Sequence, residues 1–357
     1  MIFDAHLDLS LNALEYNRDL CSSISEIREL ELGMSDLKGR AHNTVSFSAM
    51  READIGICVA TQIGGCMRPP GPVASWHSPS QAWAMTQGQL AWYRAMEDVG
   101  ELRQIRSRAE LDHHLRAWQV SQQDEKVPIG FLLSLEGSDS IRTLADLETA
   151  WGYGLRALGP AHYGVGRYAL GHDQSGPLSP AGKDLVREMD RLGLILDVTH
   201  LCDETFHDAL DIFKGPVWAS HHNCRSLVDD PRQLADEQIR RLAERGGVIG
   251  VALDAWMMVP DWVRGRSTPE SAGVTLELLV DHIDHICQLL GNDDHVGIGS
   301  DLDGGFGSEQ SPSDVDTIAD LVNVEPILKS RGYCNAGIEK ITHRNFVEFT
   351  RGALPAS

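Results

Sequence analysis

Residues 4–8 of the chain read DAHLD, placing Asp4, His6 and Asp8 at alternate positions of a stretch that Ile2, Phe3, Ala5, Leu7 and Leu9 mark as strand-forming. Successive side chains of a strand point to opposite faces, so the three polar residues share one side and Ala5, Leu7 and Leu9 the other. An edge strand with a solvated face would read this way. So would a buried strand whose end carries metal ligands. Acidic and histidine residues also stand at or near the ends of other β-rich runs: Glu136, His162, His200, His221 and Asp301. A core needs only apolar filling, so a recurrence of ligand-type residues at six strand ends points to a metal site. Imidazole mixed with carboxylate suits zinc or a similar first-row divalent ion; magnesium and calcium prefer all-oxygen shells. Three histidines and two carboxylates exceed the usual protein ligands of one catalytic zinc. Two ions about 3.5 to 4 Å apart, bridged by a carboxylate and a hydroxide, would use the whole set. Glu136 is a candidate bridge.

These residues converge only if the strands end around one point. Eight β-rich runs are predicted, over residues 2–8, 54–62, 128–136, 155–162, 194–200, 216–221, 248–253 and 295–301. Amphipathic segments such as AGKDLVREMDRLG, DEQIRRLAERGG and TLELLVDHIDHICQLLG separate them, with charge on one side and Leu, Ile or Val on the other. That alternation predicts parallel strands with helical crossovers, and eight units predict a (β/α)8 TIM barrel of the metal-dependent hydrolase type. A doubly wound sheet is the alternative, but no G-x-G-x-x-G follows the first strand. Gly193 and the Gly246-Gly247 pair fall where helices should stop. No linker divides the chain, so a single domain over 1–357 is expected, with insertions after strands 1, 2, 4 and 7. The irregular stretches CMRPPGPVASWHSPS, YGVGRYALGHDQSGPLSP and DAWMMVPDWVRG all follow strand ends, on the face where barrels build active sites. The loop Met67–Ser80, with Trp76, is expected at the rim.

Some choices stay open from the residues alone. His221 and His222 are adjacent, so only one can point inward. Asp301 and Asp303 would share a face if their strand continued, but the surrounding glycines suggest a bend; Asp301 is taken as catalytic and Asp303 as a supporting or loop-capping residue. Asp4 sits deeper and is read as a partner to a ligand. His42, His77, His113, His114, His282, His285, His295 and His343 are read as ordinary surface or core residues.

The net charge of −21 argues against nucleic acid or anionic membrane as a partner, since both are bound through Lys and Arg. No apolar run approaches the roughly 20 residues that cross a bilayer. Neither a leader nor an anchor signal is seen, so a cytoplasmic location is expected. The seven cysteines, never in CxxC spacing, do not suggest a disulfide framework. Cys66 and Cys224 lie near the candidate site, with no role assigned.

Taken in order, FDAHLD, the LEG around Glu136, the block from LSPAGKDLVREMDRLGLILDVTHLCDETF through PVWASHHNCRSLVDDPRQLADEQIRRLAERGGVIGV, and the late HVGIGSDLDG resemble the membrane dipeptidase family. This family is also called renal dipeptidase or peptidase family M19, and the likeness is to its soluble bacterial form. The resemblance spans nearly the whole chain. It implies that His6 and Asp8 hold one zinc, that Glu136 bridges to a second, and that His200 and His221 complete the second, which selects His221 over His222. It further implies substrate binding by His162 and by Arg232 in PRQL, and an acid/base role for Asp301. Departures are His222 in place of a small polar residue, Gln233 in place of Asn and Leu302 in place of Phe; they bear on substrate preference more than on chemistry.

The implied activity is zinc-dependent hydrolysis of dipeptides by a water or hydroxide shared between two Zn2+ ions, with tolerance of a D-residue at the C-terminal position. Asp301 would move the proton, His162 would hydrogen-bond the carbonyl oxygen, and Arg232 would pair with the free carboxylate. A different metal-dependent hydrolase on the same barrel, acting on an amide, lactone or deaminable base, would have no use for Arg232. A binding protein on an inert barrel would be expected to lack a ligand. A homodimer is left open.

Overall fold

A computed structural model describes residues 1–66, 75–120 and 127–357. The expected rim loop therefore lies partly, over residues 67–74, outside the described residues. All eight expected strands form: β1 (Ile2–Leu7), β2 (Ile55–Ile63), β4 (Ile129–Glu136), β5 (Leu155–Gly159), β6 (Ile195–Asp197), β7 (Val217–Trp218), β8 (Ile249–Val251) and β9 (Val296–Ile298). One strand was not expected, β3 (Leu102–Gln104). Its three residues are too few to display a period.

The chain divides into two compact units. The first comprises Met1–Cys58, Ser220–Glu244 and Val248–Glu348. Its strands run in the order start of β2, β1, β9, β8, with β1 and β8 both parallel to β9. Every residue of β1 is buried, Asp4 and His6 included. The solvated-edge reading of DAHLD is thereby excluded. The helix Leu276–Leu290 turns Leu276, Leu279, Val280, Ile283 and Ile286 inward, the three-to-four spacing of an apolar helix face, and stops at Gly291 with φ 72°.

The second unit comprises Val59–Ala219, Arg245–Gly247 and Phe349–Ser357. Its order is β7, β6, β5, β4, end of β2, with β3 paired to β4 on the side. The pairings β3–β4, β4–β5, β5–β6 and β6–β7 are all parallel. The register of β4 on β5 shifts between Leu133 and Ser134, which sets Glu136 opposite Gly159. The helix Pro180–Leu192 shows why the sequence folds as it does locally. Ser179 accepts the Gly182 amide at 2.9 Å, Pro180 occupies the first turn, and Leu185, Val186 and Met189 are buried. Gly193 ends the helix at φ 70°, as expected of a C-terminal glycine, and Gly246 adopts the same conformation. Among the described residues, no helix is long and apolar enough to cross a membrane.

Candidate active site

In the first unit, β1 delivers His6, and Asp8 follows at the start of the short helix Leu9–Leu14. Asp8 makes no side-chain cap to that helix. The Nε2 atom of His6 lies 3.8 Å from Asp8 Oδ1 and 3.7 Å from Asp301 Oδ1. One donor atom each from His6, Asp8 and Asp301 fits within 4.8 Å, the compactness of a cation site. The His221 ring packs on His6 with centroids 3.7 Å apart, and its Nδ1 lies 2.9 Å from Ser220 Oγ. His222 turns elsewhere: its Nδ1 lies 3.3 Å from Arg232 Nη1. The pair left open by sequence is thus divided, one ring meeting His6 and the other the guanidinium.

Asp301 and Asp303 separate as sharply. Both adopt positive φ, 57° and 61°, so the chain turns instead of continuing β9. Asp303 is buried, accepting Thr44 N at 2.7 Å, Thr44 Oγ1 at 2.8 Å and Val45 N at 3.0 Å, with Arg18 Nη1 3.7 Å away. Burial pushes its carboxyl up, and Arg18 with these donors offsets only part of that rise. It is the loop cap that the sequence suggested. Asp301 points its Oδ1 toward His6 and is partly exposed. A Cβ added at Gly304 would come 2.0 Å from that Oδ1, so the turn around Asp301 requires glycine there. Asp4 accepts Ser300 N at 2.9 Å, Ser300 Oγ at 2.5 Å and His6 N at 3.2 Å. Among these bonds it supports a ligand-type residue through the His6 backbone and ties β1 to the segment before Asp301. Burial raises its carboxyl to about 6.

In the second unit, β4 ends at Glu136 and the residues after β6 turn back through His200, whose φ is 68°. Such a conformation is uncommon outside glycine, though histidine enters it more readily than most residues, and it is often found at functional sites. His200 Nε2 lies 3.1 Å from Glu136 Oε1, and the His162 ring stands edge-on to the His200 ring at 4.5 Å. One donor atom each from Glu136, His162 and His200 fits within 4.8 Å. A small cleft beside them is lined by Glu136, Asp139, His162 and Tyr163. Asp139 ties its walls, accepting Cys66 N at 2.9 Å and Arg167 N at 2.7 Å. Cys66 takes part here through its amide, and Cys224 is buried, which pushes its thiol up and leaves it a poor nucleophile.

Sequence reasoning missed His172. Its Nδ1 lies 3.3 Å from His200 Nδ1, on the ring edge away from Glu136, where a ligating imidazole commonly finds its supporting partner. It belongs to no strand end; the only signal was its place in the long segment after β5. Arg232, by contrast, is fixed in the interior: it is 1% exposed, and Nη2 donates to His221 O at 2.9 Å.

The imidazole and carboxylate donors grouped in each unit have the chemistry of a first-row divalent cation site. Comparison with known proteins agrees. The family model described as membrane dipeptidase, peptidase family M19, matches residues 1–354. A protein of Klebsiella pneumoniae described only as encoded in the pqqA 5′ region is 31% identical over 210 residues, which are 57% of this chain and 73% of that protein. A dipeptidase of Claviceps purpurea, tcpJ, is 36% identical over 177 residues, 49% of this chain and 38% of the relative. The match thus spans well under half of that dipeptidase. Among solved structures, the dipeptidase AC, a metallopeptidase of family M19, superposes with a TM-score of 0.78 at 22% identity, covering 100% of this chain and 99% of that one. A metallopeptidase of Rhodobacter sphaeroides, liganded with a phosphinate mimic of the dipeptide L-Ala-D-Ala, gives 0.78 at 21% identity with 99% of both chains covered. These likenesses fix the fold as the (β/α)8 barrel, and the end-to-end family match shows that the chain belongs to the membrane dipeptidase family, M19, a family of metallo-dipeptidases.

Proposed function

We propose that the protein hydrolyses dipeptides with two zinc-class divalent ions, held by His6, Asp8, Glu136, His200 and His221, Glu136 reaching both. The observation that supports this most is the pairing of His200 Nε2 with Glu136 Oε1 at 3.1 Å in a chain matched from end to end by the family. Bound ions of this class supply a polarised carbonyl and a water acidic enough to attack it at neutral pH.

The chain's own residues have separate tasks. Asp301 takes the proton of the attacking water and returns it to the departing amine, a cycle suited to a carboxylate beside the His6 edge. His162, in the cleft with Tyr163, donates a hydrogen bond to the carbonyl oxygen as negative charge develops there. Arg232 pairs its remaining N–H groups with the free carboxylate of the substrate, which restricts the enzyme to short peptides with a free C-terminus. Tolerance of a D-residue at that end is part of this reading. A neighbour of the same fold holds a mimic of L-Ala-D-Ala, which makes the L,D series the first to try.

Metal analysis of purified protein, with a screen of L,L and L,D dipeptides and their amides, tests the proposal. About two equivalents of zinc-class metal and cleavage of free dipeptides well above their amides are expected. A fully active protein with one ion, or equal cleavage of amides, would overturn it.

A further inference from the structure

His222 has no part in the scheme above, although it is 2% exposed and follows a candidate ligand directly. We propose that His222 is a positioning residue: it holds the Arg232 guanidinium in the plane that receives a substrate carboxylate. The inference rests on the reading of Arg232 as the carboxylate clamp and adds to it the device that orients the clamp.

The chemistry of the pair fixes which atom does what. Arg232 Nη1 and His222 Nδ1 are 3.3 Å apart. A guanidinium has donors only, so the imidazole nitrogen facing it must be the acceptor, and the ring proton of neutral His222 sits on Nε2. The bond therefore has one sense, Arg232 donating. The second terminal nitrogen, Nη2, donates to His221 O at 2.9 Å. Two acceptors thus grip the two terminal nitrogens, and a planar group held at two points cannot turn about its bond to the stem. Each terminal nitrogen keeps another N–H in the same plane, and this pair is the one assigned to the carboxylate.

The imidazole acceptor and the root of the arginine stem are themselves fixed. The His222 amide donates to Gly250 O on β8 at 2.7 Å, so the imidazole is mounted on the sheet. The Arg232 amide donates to Asp230 Oδ1 at 2.8 Å, which anchors the other end of the long side chain. A flexible stem between two anchors is an arrangement that reduces the ordering cost of binding, because the side chain is already in place when the ligand arrives. Removal of the imidazole acceptor would leave Arg232 charged and buried but held at one terminal nitrogen. Binding of the carboxylate should then suffer while the chemistry at the scissile bond does not.

Steady-state kinetics on metal-loaded enzyme separate this from simple packing. His222→Leu fills the space without an acceptor, whereas His222→Asn sets Oδ1 where Nδ1 stands. The Leu variant should raise KM for free dipeptides roughly tenfold, the scale of one lost charge-assisted hydrogen bond, with kcat and bound metal unchanged. The Asn variant should return KM to near the wild-type value. Neither should alter KM for dipeptide amides. Should His222→Leu fail to fold, His222→Met removes the acceptor with a more adaptable side chain. Equal KM shifts in the Leu and Asn variants, a fall in kcat at constant KM, or lost metal would overturn the inference. Arg232→Met is the control for the reading beneath it. If that variant keeps a wild-type KM for free dipeptides, the clamp itself is wrong; if it raises KM and His222→Leu does not, only the role of His222 falls.

Discussion

Asp301 and Asp303 are two positions apart in one glycine-rich turn, yet the environment gives them different chemistry. Asp303 spends both oxygens on Thr44 and Val45, while Asp301 keeps an oxygen toward His6. Asp301→Asn is a clean test, because asparagine tolerates the left-handed conformation that position 301 adopts. The variant should retain metal and substrate binding while kcat falls by about 10²-fold or more, the scale of a lost general acid/base; titration with metal and a KM measurement check the first part. The flanking glycines already suggest in sequence that the strand bends here and that Asp303 supports or caps the loop, but where each carboxylate points is settled only by the turn of the backbone. The same holds for His221 and His222, which adjacency alone cannot rank. His172 was less visible still: a histidine on a long loop has no period to place it, and only its approach to the His200 ring reveals it.

Elements were the more legible level. Runs such as PIGFLLSLE and LILDVTH, each followed by an amphipathic segment, identified eight parallel strands because buried strands and helix faces have different periods. Leu102–Gln104 escaped for want of length, and its pairing with β4 depends on a partner remote from it in sequence. Turns at strand ends carry predictions of their own. Gly304→Ala would press a methyl against the Asp301 carboxylate, so activity should collapse in a protein that still folds, with far-ultraviolet circular dichroism like wild type. Gly193→Ala acts differently. Position 193 is at φ 70° with open space around its Cβ position, so the cost is conformational only: about 1 kcal/mol in chemical denaturation, with kcat unchanged.

For the molecule as a whole, stability against acid has an identifiable contributor. His282 is buried on the helix Leu276–Leu290 with Nδ1 accepting the Cys224 amide at 3.1 Å, and burial lowers its pKa from 6.5 to about 4. Between those values the unfolded chain binds a proton that the folded chain refuses. The stabilisation is therefore complete above pH 6.5 and is lost as pH falls toward 4. His282→Asn retains an acceptor for the Cys224 amide without an ionisable ring, so its Tm should decline less steeply than wild type from pH 6.5 to 4; parallel curves would exclude His282 as the cause. The interleaving of the two units along the chain has a further consequence, in time. Residues 59–219 of the second unit are contiguous, whereas the first unit closes only with segments beyond residue 248. His6 and Asp301 are 301 − 6 = 295 residues apart. At about 5 to 20 residues per second of synthesis, His6 waits roughly 15 to 60 s on the ribosome for the carboxylate it will face, so a residue made among the first finds its neighbour among the last.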